Sequence, residues 1–148
     1  MDMDERWVKR SPTVMFETFP WFHGEGFDLI LNDVLALQDQ SPVLVEGFRL
    51  LPRLVAPFLT EPNQAVWLVP TTEFRQQAFQ ARGATWFPHE TSDPQRALAN
   101  LLVRDDLFAR EIVKEAADLK LRVIEVGVTM STDELTSHVR DCLGFGAP

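Results

Sequence analysis

Ala65-Val-Trp-Leu-Val-Pro-Thr-Thr-Glu-Phe-Arg75 reads as a short buried strand that gives way at once to a helix. Ala65 to Val69 is uniformly apolar, without polar alternation, as expected of a strand covered on both faces. Thr72 to Arg82 then reads as a helix stopped by Gly83, a residue suited to a left-handed cap. Two other runs share this character, Val43-Leu-Val-Glu46 and Arg122-Val-Ile-Glu-Val126. Each precedes a helix-like segment, so the pattern predicts an α/β fold with a parallel sheet rather than hairpins.

The helices follow from period and caps. Phe27 to Gln38 sets Phe27, Ile30, Leu31, Val34 and Leu35 on one broad face. Asp93 is placed to cap a helix that has Pro94 at its first position, where a missing N–H costs little. That helix is expected to reach Lys120, with a break near Arg104 and an apolar stripe of Phe108, Ile112, Ala116 and Leu119. Ser131-Thr-Asp-Glu134 fits a capping box opening a last helix through Leu135, Val139 and Leu143. Gly83 to Thr91, with Trp86, Phe87 and His89, has no period and reads as a loop. Residues 1–26 read as an irregular segment rich in aromatics (Trp7, Phe16, Phe19, Trp21, Phe22). No repeat or linker divides the 148 residues, so one domain over 1–148 is expected.

Composition narrows the function. A formal net charge of −8 argues against wrapping nucleic acid or lying on an anionic membrane, since both need a cationic surface. A local basic cluster for a small anion remains compatible with it. The single cysteine, Cys142, rules out an intramolecular disulfide and a multi-cysteine zinc site. The start Met1-Asp-Met-Asp-Glu-Arg6 lacks the features of a secretory signal, and no apolar run approaches the roughly 20 residues that span a bilayer. A cytoplasmic location is therefore expected.

Two constellations carry chemistry. Glu46 closes the Val43-Leu-Val run and precedes Gly47. In open parallel sheets ligands bind at the carboxyl ends of strands, and an acid there can hold a Mg²⁺ shell; the alternative is an acid facing solvent or capping a neighbouring helix. Arg96, Asn100 and Arg104 recur every four residues on one helical stripe, with Arg75 and Arg82 on the helix before it. Guanidinium groups so arranged can clamp phosphate oxygens; the alternative is salt bridging to Asp93, Asp105 and Asp106. His23-Gly-Glu-Gly26 can expose N–H groups to an anion at a helix start, but reads better as a turn. His23, His89 and His138 lack metal-ligand spacing, and no Gly-x-Ser-x-Gly elbow is present.

Taken in order, Ser41-Pro-Val-Leu-Val-Glu-Gly-Phe-Arg-Leu-Leu-Pro52, Ala65 to Arg75, Ala97-Leu-Ala-Asn-Leu-Leu-Val-Arg-Asp105, Val123–Val126 and Ser131–Glu134 resemble the later part of a P-loop kinase of the nucleoside, nucleotide and small-molecule group, within the wider set of AAA-type ATPases. The resemblance covers about residues 27 to 143. It implies a three-layer parallel sheet of P-loop NTPase type, and an ATP-dependent phosphotransferase acting on a small molecule or nucleotide. By the same resemblance Glu46 is the catalytic acid near Mg²⁺, Arg104 a catalytic cation, and Arg82 and Arg96 the lid arginines that bind ATP. The acceptor would lie against the aromatic N-terminal segment and the Phe27 helix.

One departure is large: the chain has no Gly-x-x-x-x-Gly-Lys-[Ser/Thr], the loop that cradles the β-phosphate. The implied fold is therefore incomplete, with the first strand and its loop absent, and the chain is expected to be inactive alone. Three readings are open: a kinase started at an internal methionine; a relative that pairs the Glu46 and Trp67 strands directly and binds rather than catalyses; or a homo-oligomer in which a partner chain supplies the missing elements. A non-catalytic binding or assembly module is the alternative to an enzyme.

Overall fold

The computed structural model describes residues 2–37, 43–82 and 90–145. Among them six α-helices and two strands are defined: α1 (Pro12–Glu17), α2 (Phe27–Leu35), α3 (Pro52–Val55), β1 (Val66–Pro70), α4 (Thr72–Ala81), α5 (Pro94–Asp118), β2 (Arg122–Val126) and α6 (Thr132–Cys142). A π-helical turn spans Glu5–Lys9, and 3₁₀ turns span Pro20–His23, Ala56–Phe58 and Pro62–Gln64.

The spine is α5. Asp93 caps it, its carboxylate accepting from the Arg96 N–H at 3.0 Å, and Pro94 takes the first position. Its 25 residues run without the expected break at Arg104. Asp105 and Asp106, poor helix formers because their carboxylates compete for nearby backbone N–H groups, are instead bound by Arg104 and Arg75. The helix ends in a Schellman motif: Leu121 N–H donates to Ala116 O, Lys120 N–H donates to Ala117 O, and Lys120 takes a left-handed φ of 57°.

Two apolar clusters share this spine. Toward its N-terminus, Ala97 and Leu101 pack with Trp7, Val8 and Met15. Toward its C-terminus, Ile112 packs with Leu51 and Val69, flanked by Trp67, Phe108 and Val123. The first cluster revises the sequence reading of residues 1–26 as irregular. They fold into three short helical turns and supply Trp7, Val8, Met15 and Phe22 to the core, and helices of four to six residues are too short to show a period.

β1 and β2 pair in parallel, Val66 opposite Arg122 through Pro70 opposite Val126. The α6 cap forms as the sequence implies, Ser131 and Glu134 making a reciprocal capping box, and α4 starts at Thr71, whose Oγ1 accepts from Phe74 N–H. Arg82 caps the end of α4, while Gly83 to His89 lies outside the described residues, as does the Gln38 end of the Phe27 helix.

The expected three-layer parallel sheet of P-loop NTPase type is not what the chain forms. The described residues are mostly helical, with one sheet of two strands. The reason is the Val43-Leu-Val-Glu46 run: it joins no ladder, neither with β2 nor directly with β1, and Val43 to Phe48 are all exposed. Buried-strand composition alone does not make a strand, because the run also needs a neighbour for its N–H and C=O groups. Here β2 takes one edge of β1, and the other stays unpaired among the described residues.

Candidate functional site

The docking of the N-terminal turn on α5 creates a recess lined by three arginines. Burial of Trp7 and Val8 fixes the turn's face, and Asn100 fixes its height: the side-chain amide donates to Trp7 O at 3.0 Å and to Val8 O at 3.2 Å. Asp4 ties the other end, accepting from the Ser92 N–H at 2.7 Å. The Ser92 hydroxyl and N–H hold the Asp4 carboxyl below its ordinary range. Asn100, one of the three residues of the anticipated phosphate stripe, is thus spent on the backbone.

One turn further along α5, Arg104 enters an aromatic cage. Its guanidinium carbon lies 5.3 Å from the Trp7 ring centre, 5.5 Å from Phe19 and 5.3 Å from Phe22. Such contacts gain strength as the cation loses water, and the Arg104 side chain is only 12% exposed. Asp105 Oδ1 accepts from Arg104 Nε at 2.9 Å and from Nη2 at 2.6 Å. A cleft of about 290 Å³ opens beside this cage, and Arg6, Trp7, Arg10, Thr18, Phe19 and Arg104 line it. Arg6 also lies over the Trp7 ring, at 4.9 Å. Three guanidinium groups against the one carboxylate of Asp105 leave local positive charge in a chain of net charge −8. Rings for stacking and forked donors for an anion therefore meet in one place.

The other residues singled out in the sequence lie elsewhere. Glu46 is exposed on the unpaired Val43–Glu46 segment and makes no hydrogen bond or ion pair among the described residues. Arg82 sits at the end of α4 with its guanidinium 5.3 Å from the Phe79 ring. Arg96 is exposed in the first turn of α5. None of these three lines the Arg104 cleft. Arg75 follows the salt-bridge alternative, donating to Asp106 Oδ1 at 3.1 Å, Pro70 O at 2.8 Å and Thr72 Oγ1 at 3.3 Å. What the sequence reading missed was Arg6 and Arg10, whose i, i+4 spacing around Trp7 was the available signal.

The residues present do not fit Mg·ATP held as in a P-loop kinase. The phosphate loop is missing from the sequence, and Glu46 has no second ligand beside it. Among the described residues no three His, Cys, Asp or Glu side chains converge on one point.

A second recess of about 300 Å³ lies between Phe16, Phe22, His23, Arg53, Glu111 and Glu115. Arg53 spends its charge on Glu115, which also accepts from the Arg53 backbone N–H. His23 Nε2 lies 3.1 Å from Phe16 O, so that nitrogen carries a hydrogen, because a carbonyl only accepts. The adjoining His23-Gly-Glu-Gly26 is a turn: Gly24 and Gly26 have φ of 97° and 78°. A Cβ on Gly24 would stand 2.7 Å from Leu54 Cδ1, the movable end of a side chain, so it is the left-handed backbone rather than packing that favours glycine there. His138 is exposed on α6, Cys142 is half-buried at its end, and His89, Trp86 and Phe87 lie outside the described residues.

No helix among the described residues is long and apolar enough to cross a membrane. No family model, curated protein or solved structure matches the chain.

Proposed function

We propose that this chain is a binding module for an anionic, ring-bearing small molecule of the nucleoside-phosphate class, held in the Arg104 cleft without phosphoryl transfer. The observation that carries this reading is the meeting of Arg6, Arg10 and Arg104 with Trp7 and Phe19 around one cleft of an acidic chain. Arginine forks match phosphate oxygens, and the half-buried Phe19 ring lining the cleft offers a surface against which a base can pack. The missing phosphate loop and the isolated Glu46 support binding over catalysis.

Titration with ATP in the absence of Mg²⁺, followed by tryptophan fluorescence, tests the reading through Trp7. A saturable change is expected, with tripolyphosphate and adenosine each binding more weakly than ATP because each engages only half of the site. Arg10→Ala, on the rim of the cleft, is expected to weaken binding roughly 10- to 100-fold, the effect of losing a charge-assisted hydrogen bond. A flat titration into the millimolar range, or affinity unchanged by both Arg6→Ala and Arg10→Ala, refutes it.

A further inference from the structure

We propose that the outer edge of β1 receives the Val43–Glu46 segment of a second copy of this chain, and that the exchange is reciprocal. Thr71 N–H donates to Val126 O at 2.9 Å, which fixes the ladder's phase. In a parallel ladder successive residues direct their polar groups to opposite sides, so those of Trp67 and Val69 face β2 and those of Val66 and Leu68 face outward. Pro70 has no N–H to offer, and its carbonyl already accepts from Arg75. The open edge is therefore short and specific: two residues with both backbone groups unpaired by other backbone among the described residues.

The chain also carries a segment made for such an edge and does not use it there. Val43, Leu44 and Val45 are 45%, 83% and 38% exposed and belong to neither helix nor strand. Three consecutive exposed apolar residues and an open strand edge in one chain are a template for pairing, which proteins otherwise blunt with charge or short length. The segment does not pair with β1 of its own chain. Leu50 N–H donates to Gly47 O at 3.1 Å, closing a turn directly after Glu46, and Leu50 O is held by the Trp67 indole N–H at 2.7 Å. Leu51 and Pro52, fully buried, anchor the chain just beyond that turn. The chain leaving the segment is thus pinned beside Trp67. A second copy brings the same segment from outside, and two-fold symmetry makes both junctions at once and closes the assembly.

This inference gives a surface to the homo-oligomer expected from the sequence and is independent of the Arg104 cleft. Light scattering coupled to size exclusion tests it, with Leu44→Asp as a donor-deficient variant and Leu68→Pro as an acceptor-deficient one. Leu68→Pro removes an outward N–H and leaves the β2 ladder intact; Leu68→Lys, at a side chain already 46% exposed, guards against misfolding. The wild-type chain is expected to be a dimer, with each variant dissociating at least about tenfold more readily. An equimolar mixture of Leu44→Asp and Leu68→Pro is expected to recover a heterodimer through its one intact junction. A monomeric wild type overturns both the surface and the oligomer. A dimer indifferent to all three substitutions overturns the surface alone. ATP titration of the monomeric variants reports separately on the cleft.

Discussion

Replacing Asn100 by Leu removes two donors while keeping the side chain's approximate volume. Asn100 supplies hydrogen bonds to Trp7 O and Val8 O, and those residues are only 8% and 9% exposed. Two outcomes compete. If the N-terminal turn stays docked, two carbonyls lose their partner in a nearly dry place, at about 1 kcal/mol each with some rehydration and up to about 3 kcal/mol each without. If the turn lets go, Trp7, Val8 and Met15 lose their contact with Ala97 and Leu101. Exposing three such side chains costs roughly 5–9 kcal/mol, so letting go is the dearer response. The expected loss is therefore about 2–6 kcal/mol, toward the lower end where water reaches the carbonyls, with the turn still in place. Urea unfolding followed by tryptophan fluorescence measures it, and it should appear as a lower midpoint at unchanged slope. A loss below about 0.5 kcal/mol would show that these hydrogen bonds do not hold the turn. A loss with a changed slope and rapid proteolysis near Arg10 would show that the turn detaches, and the estimate of its burial would be wrong.

Other expectations concern the remaining joints. Asp4 and Glu134 both titrate below their ordinary values of 3.8 and 4.5, Asp4 through the Ser92 hydroxyl and N–H, Glu134 through the Ser131 N–H and hydroxyl. A depressed folded-state value stabilises above the unfolded one, so stability should fall as pH drops below about 4.5, less steeply in Glu134→Gln. Urea midpoints taken from neutral into the acid range check the sign. Leu51→Ala, at a fully buried position, should cost about 2–5 kcal/mol in the same assay. Lys120→Gly should stabilise by about 0.5–1 kcal/mol, because Lys120 holds the left-handed cap position at which α6 places Gly144, with φ of 72°. A calorimetric midpoint unchanged or lowered by Lys120→Gly would count against strain at that cap.

What the sequence disclosed was mostly local. Asp93-Pro94 and Ser131–Glu134 specify their own helix starts through bonds made within a few residues, and both formed where the pattern placed them; the Ala65–Val69 run became the strand Val66–Pro70 only by pairing with β2. Val43–Glu46 failed because a strand's existence depends on a neighbour that no local pattern names. The arginines divided on the same principle. Arg75 and Arg104 sit opposite or beside aspartates and are partly neutralised, a matter of three-dimensional placement rather than spacing. The cleft itself joins residues 6–20 to residue 104, across a separation in sequence that periodicity cannot register.

The continuity of α5 bears on the order in which the chain folds and opens. At 25 residues the helix is about 37 Å long and is built wholly from contacts near in sequence. The β1–β2 ladder instead joins Val66 to Arg122 and closes a loop containing α4 and all of α5. The rod forms early, then, and strand docking is the slow step. Because the Trp7 and Leu51 clusters grip opposite halves of that rod, hydrogen exchange should resolve two separate opening units, with amides of α5 the last to exchange in both.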